Sequence, residues 1–510
     1  MLTSRRLSRR ALLAGGVGAV AMSGLSRAQS PPPERIGLVR VAVGRLPLSL
    51  DPTRRESIDH LWMDTLALDT PSRWNASGQV VTALASYQPV AGDETTIDLV
   101  VRPGALFFDG TPVRAEDVQY AIERVRNGAS STRHGWRTEH IERCERIDGQ
   151  TVRLELSRPD ASLEASLAHQ AFGVVRAGTN PPAIVGGTGP FWLRVRDGNR
   201  MLYARNEHFW EIGRPRIEAV HVEAIADDSR RATAIAAGTI DLVPNVPLLD
   251  IPMLRDEPTV YLVGGPSNRI CHLQLNLQMP ELRDARVRRL LSAAIDRARL
   301  VEVATAGQAT PTGLLFPESS WAFSGLDEVP QESPDRVREE LRRLGIPSDL
   351  RLHMITDDED ATLATTAVVL QEQLATCGIA LSVDLLRGRE LDEALRNRRF
   401  DMFVGYSEPW RDPHELVRPL LASDGNLNHS GYANPHIDGL VRGAILQRPR
   451  ALRQPRYRLI EERVRQEAPV IVLFRPHYFD AVKSGLAGYG AFPPVTSRGL
   501  LTIQPVAEDS

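Results

Sequence analysis

An α/β fold divided into two lobes is what this sequence predicts, and three observations carry the prediction. At 510 residues the chain exceeds what one compact core organises, so two or more lobes are required. Leu350 to Phe403 alternates strand, helix, strand, helix, strand (350–356, 361–376, 379–385, 391–397, 402–406), and that spacing calls for a parallel sheet with covered faces. Gly187 to Val243 reads as a hairpin, a longer strand, a helix and a short closing strand, again a sheet with a crossover helix.

Composition excludes several classes. Hydrophobic content of 42% with 25% charged residues fits a soluble globular chain. A formal net charge of -3 offers no basic excess, so no nucleic-acid partner is expected. Lys483 is the single lysine among 61 basic residues, and the arginines are dispersed among matching acids, which reads as codon bias. Cys144, Cys271 and Cys377 lie far apart, are odd in number and form no C-x-x-C spacing; buried small hydrophobes are the expected roles.

Residues 1–28 read as an export signal. Ser8-Arg9-Arg10-Ala11-Leu12-Leu13 resembles the twin-arginine pattern, the apolar run 11–22 is too short to span a membrane, and Ser26-Arg27-Ala28 supplies a small-residue cleavage site. No cysteine stands there, so no lipid anchor is expected. A linker, 29–35, follows with Pro31–Pro33.

The first strand is 38–43, followed by Ser49-Leu50-Asp51-Pro52. Residues 96–101 form a strand, Pro103-Gly104 and Asp109-Gly110 are turns, and 115–125 is a helix with Val118, Ala121, Ile122 and Val125 on one face. Arg114 precedes that helix in place of an N-cap, and Glu116 and Asp117 are expected to compensate through the helix dipole. A strand at 152–156 and a helix at 159–169 complete an excursion, about 53–183, that returns at Gly186-Gly187. Residues 191–195 and 200–204 flank the turn Asp197-Gly198-Asn199, 219–225 is a strand, Asp228 or Ser229 caps a helix to Ala237, and Gly238 stops it.

Beyond Pro244, strands at 260–263 and 270–277 flank Gly264-Gly265-Pro266, where the chain is expected to cross between lobes. Residues 285–304 carry Val287, Leu290, Leu291, Ala294 and Ile295 at helical spacing, with most arginines off that stripe on a solvated face. Asp357-Asp358-Glu359-Asp360 lacks the spacing of a calcium loop and suits a helix N-terminus. The loop 400–425 leaves the carboxyl end of a strand, where open α/β sheets place ligands. It gathers Tyr406, Glu408, Trp410, Arg411, Asp412 and His414, an aromatic beside both charge signs; the plain alternative is a charged surface turn around one buried Trp.

Several phrases in order, G-T-G-P-F, R-N-E-H-F-W, G-R-P-R-I, A-A-G-T-I-D-L-V, the stretch 99–125, the helix 285–304 and Asn428–Pro435, resemble family 5 of the extracytoplasmic solute-binding proteins, the peptide/nickel class of ABC importers. The resemblance spans nearly the whole mature chain. It implies a two-lobed, type II periplasmic-binding-protein-like fold with an inserted subdomain and a hinge: lobe I over 36–268, lobe II over 269–480, and a return to lobe I over 481–510. It further implies a periplasmic, monomeric protein that closes on a peptide or peptide-like solute and delivers it to an inner-membrane permease, without cofactor, metal or catalysis.

The S-L-D-P phrase, by the same resemblance, hands the chain to a ligand-facing segment and makes Glu56 and His60 pocket candidates. In peptide-binding members an Asp three residues after the Trp of a Gly-Trp pair holds the peptide amine; here Gly405-Tyr406 aligns with that pair and Pro409 with the Asp. Proline offers no side-chain acceptor, so Glu408 or Asp412 must substitute or the solute is something else: a modified peptide, opine, sugar or metal chelate. A sensory binding subunit uses the same closure. An enzyme finds no support in a G-x-S-x-G elbow, an H-E-x-x-H pair or a P-loop lysine.

Overall fold

The computed structural model describes residues 36–54, 57–127, 134–180, 184–490 and 495–504. The export signal, the Pro-rich linker and Glu56 lie outside the described residues.

Two sheet systems share one long strand. In the first, Ile36–Val43 pairs in parallel with Ile217–Ala224, which continues antiparallel through Arg200–Arg205 to Phe191–Asp197. In the second, Cys271–Leu275 pairs antiparallel with Met402–Tyr406, and Arg351–Asp357 runs parallel to both Met402–Tyr406 and Ala380–Leu386. Strand Val470–Lys483 belongs to both. Its residues 470–474 pair with Cys271–Leu275 and its residues 477–483 with Val260–Pro266. Burial follows the same division: Ile471, Leu473 and Phe474 join the apolar core around Leu273, Met354 and Leu370, whereas Tyr478 and Val482 join the core around Val41, Trp62 and Val220. A two-lobed α/β architecture results.

A third, smaller unit has its own four-stranded antiparallel sheet, in the order Ala85–Pro89, Thr96–Val101, Thr151–Leu156, Ile141–Arg146. Helix Ala115–Asn127 packs its Val118, Ala121, Ile122 and Val125 into that unit's core. The missing cap at Arg114 is compensated by a hydrogen bond: Asp117 Oδ2 accepts the Arg114 amide at 2.8 Å, while Oδ1 accepts that of Ala177. Reciprocal bonding of this kind satisfies an amide that the dipole alone leaves open.

Where local expectation and structure part, side chains decide. The crossover helix runs Asp228–Ala236 and its cap is Asp227, whose carboxylate accepts the Arg230 amide. Asp360 caps Ala361–Thr376 in the same way, through Leu363 N at 3.0 Å. Between 159 and 169 only Leu163–Ser166 is α-helical, followed by a 3-10 turn at Gln170–Phe172. The stretch 285–304 forms two helices, Ala285–Ala294 and Arg297–Thr305, because Asp296 turns its carboxylate to the Arg299 amide and starts a new helix. Nor are its arginines all solvated: Arg288 is buried and donates to the carbonyls of Leu282, Arg283, Glu467 and Ala468, tying the helix to the entry of the shared strand. All three cysteines are free and buried. Among the described residues no helix is long and apolar enough to cross a membrane.

Candidate functional site

The loop after Met402–Tyr406 is anchored before it turns. Ser407 donates its amide to the Ile270 carbonyl (2.9 Å) and its hydroxyl accepts the Ile270 amide (3.0 Å), fixing the start of the loop to the inter-lobe connection. Pro409 and Pro413 disfavour helical backbone at Glu408 and Asp412, the residues before them, and helix His414–Leu421 begins directly after Pro413. Glu415, in the first turn of that helix, reaches back and accepts the amides of Arg411 (3.0 Å) and Asp412 (3.1 Å). The loop is thereby folded over its own helix and presents two faces.

One face points into its own lobe. Trp410 is buried edge-on against Phe316, with ring centroids 6.0 Å apart. Asp412 is buried and receives both terminal nitrogens of Arg453, at 2.8 and 2.7 Å, with a further bond from the His414 amide. Arg453 in turn bonds the Ala444 carbonyl and the Tyr457 hydroxyl. Asp412 and Trp410, expected at the solute, are thus occupied in holding the loop; a doubly bonded buried carboxylate has little left to offer an incoming amine.

The other face meets the four-stranded unit. Arg137, whose side chain is 1% exposed, places Nη1 2.6 Å from Glu415 Oε1 and Nη2 3.6 Å from Glu408 Oε2. His169 Nε2 lies 3.8 Å from the same Glu408 oxygen. Arg418 forks onto Glu139 at 3.0 and 2.6 Å, and the Trp136 ring approaches His414 edge-on. A backbone bond, Ala161 N to Ile445 O at 2.8 Å, extends the contact. The Arg411 guanidinium crosses to the turn at Gly78: a Cβ there would stand 2.9 Å from Nη1. Gly78 has φ +73°, so the position needs glycine for its backbone as well as for space.

Tyr406 is half-buried, with the Arg269 guanidinium 4.0 Å from its ring centroid, and burial raises its hydroxyl pKa well above the usual range. A separate pair, Arg45 to Glu359 at 2.6 Å, links the segment after the first strand to the acid run of the other lobe. His60 falls in helix Ile58–Ala67 and is buried.

His134, His169 and Glu408 bring three potential metal-ligand atoms within 4.8 Å of one another. The fit to a metal is poor. His169 Nδ1 accepts the Ala171 amide at 3.2 Å, which leaves Nε2 as the N–H end facing Glu408. Ligation through Nε2 requires the opposite tautomer and the loss of that bond.

Arg137, His169, Glu415, Arg269 and Glu139 carry this geometry without having stood out in the sequence. Arg137 and Glu415 are 278 positions apart and no local pattern couples them.

The profile of the bacterial extracellular solute-binding proteins, family 5 (middle region), matches residues 79–428. The chain belongs to this family. Among relatives, the peptide transport periplasmic protein SapA of Salmonella typhimurium is 25% identical over 414 residues, 74% of each chain. The glutathione-binding protein GsiB of Escherichia coli (strain K12) is 26% identical over 432 residues, covering 80% of this chain and 83% of its own. Among solved structures, the binding protein AgaA from A. tumefaciens R10, in complex with agropinic acid, superposes with a TM-score of 0.83 at 21% identity, over 92% of this chain and 99% of its own. DppA from Helicobacter pylori, in complex with the peptide STSA, follows at 0.81 and 21%, over 92% and 98%.

Proposed function

We propose that this family 5 protein captures a peptide or peptide-like solute between its two lobes in the periplasm and hands it to the permease of an ABC importer. The observation that carries the reading is the charged contact at 408–418 between the loop and the four-stranded unit, which a parting of the lobes would break. Solute held in such a cleft touches both lobes in the closed form alone, so it shifts the population toward closure by its extra affinity for that form. The connections 266–270 and 474–477, where the shared strand changes partners, serve as the hinge, so that lobe I takes 36–268 and the chain from 477 onward, a few residues earlier than the 481 return expected from the sequence, and lobe II takes 269–476. Tyr406, Glu408 and Arg411, with Arg269 added, form the lobe II side of the site. The protein works as a monomer without catalysis, is exported by the twin-arginine route through residues 1–28, and carries no lipid anchor.

A second reading, an opine-like solute such as the agropinic acid of AgaA, is favoured by one observation: Pro409 stands where peptide binders carry an acid, and Asp412 is held by Arg453. Native mass spectrometry of the mature protein purified from periplasm identifies the solute directly. Thermal unfolding with a peptide mixture then tests the first reading. Solute at 100 times its Kd stabilises by about 2.7 kcal/mol, and a Tm unmoved by any peptide refutes it.

A further inference from the structure

Arg411 is the cation of the loop, and the acids around it are committed elsewhere. Glu415 accepts three donors: Arg137 Nη1 and the amides of Arg411 and Asp412. Glu408 faces Arg137 and His169, and Asp412 is forked by Arg453. Arg411 Nη2 is buried without a hydrogen-bond partner, and among the described residues no carboxylate forms an ion pair with this guanidinium. Burial pushes its pKa down to about 10 against the pull of Glu415. Its Nη1 meanwhile lies against the turn at Gly78 on the opposite lobe.

A guanidinium taken out of water with no carboxylate hydrogen-bonded to it is costly, and the cost falls when a carboxylate reaches it in the fork geometry that arginine favours. Closing the lobes buries this group, so an anion brought by the solute favours closure at this point, and an ammonium opposes it. We propose that Arg411 is the specificity-determining anchor for a carboxylate of the solute, so that the protein selects solutes by a negative group at this loop and does not require a free amine there. The inference rests on the reading that the cleft between the lobes holds the solute, and it turns the polarity of the site around relative to capture of an amine by Glu408 or Asp412.

The test uses the mature protein and its Arg411→Gln and Arg411→Lys variants. Thermal unfolding and calorimetric titration are run with one peptide mixture in four forms: free, amino-acetylated, carboxyl-amidated and doubly blocked. The expected result is that the free and acetylated forms bind the parent protein alike, that amidation weakens binding at least about tenfold, and that Arg411→Gln weakens the carboxylated forms about 30-fold or more while removing the preference. Arg411→Lys retains part of it, and unliganded unfolding curves establish that each variant is folded. Equal binding of amidated and free forms, or loss on acetylation alone, overturns the inference and leaves the peptide reading standing. If no peptide form binds, the peptide reading falls and the co-purified solute decides: an acidic solute retained by the parent and lost from Arg411→Gln upholds the anchor, and a neutral or cationic one, or one held equally by both, overturns it.

Discussion

Asp412 and Glu415 sit three residues apart on one loop, both buried and both paired with an arginine, yet the two pairs belong to different equilibria. Asp412–Arg453 lies 41 positions apart within the same region, so on the proposed closure neither partner would gain water when the lobes part. Glu415–Arg137 joins the helix after the loop to the four-stranded unit, so on the proposed closure it is a contact that opening would return to solvent. The first is a term in folding; the second is a term in closure. Chemically similar contacts thus do different work, according to which surfaces separate.

Breaking the first pair gives the largest effect. Asp412→Ala leaves Arg453 buried and unpaired, and urea unfolding is expected to show a loss of about 3–5 kcal/mol, partly recovered by Arg453→Met in the same chain. Equal losses for Asp412→Ala and Arg137→Met would erase the distinction between the two pairs.

Buried titrating groups inside each lobe sharpen the comparison, because they should move stability and leave solute affinity alone. Burial, with His429 nearby, pushes His272 in the second lobe down to about 3. Its neutral form is therefore favoured on folding: that stability is present above the unfolded value of about 6.5 and is lost as pH falls through about 3. Asp480 in the first lobe moves the other way. Burial raises it to about 6 against the hydroxyls of Tyr478 and Tyr489 and the Asn245 amide, so its contribution is full below about 4 and is lost as pH rises through 6. The shifts correspond to about 3 kcal/mol for Asp480 and about 5 kcal/mol for His272, of which roughly 3 falls between pH 4 and 7. Urea unfolding between pH 4 and 7 should show Asp480→Asn removing the rise in stability on acidification and His272→Asn removing the fall.

Arg137→Met comes next. Solute Kd should weaken about tenfold, equivalent to ~1.4 kcal/mol, with small-angle scattering showing a larger radius of gyration in the presence of solute and little change in the unfolding curve of the free protein. Smallest is Arg45→Gln. Its pair with Glu359 is about two-fifths exposed on both sides, so a loss of about 0.2–1 kcal/mol in closure is expected, vanishing at high salt.

Much of the fold was legible along the chain. Local periodicity and turn chemistry placed the parallel alternation of 350–403, the hairpin at 191–204 and the amphipathic helix at 115–125, which runs two residues further in the structure, because those signals repeat within a few residues. Caps were less legible: Asp227, Asp296 and Asp117 each took a role that several neighbouring acids were equally placed to take. The loop 400–425 was found from its position after a strand and its mixture of charges, but which acid faces which lobe was not. Asp412 was turned inward by Arg453, 41 positions on, and Glu408 was taken up by Arg137 and His169 from the other lobe.

What the sequence by itself determined is the family and the two-lobed α/β class, since hydrophobic period, glycine and proline placement and ordered phrases are properties of neighbours in the chain. Only the tertiary structure decided which charges are paired within the 402–476 region and which across to the four-stranded unit. A charge is satisfied by whatever counter-charge the fold brings within about 4 Å, and the partners of Glu408 and Glu415 lie more than 200 residues away.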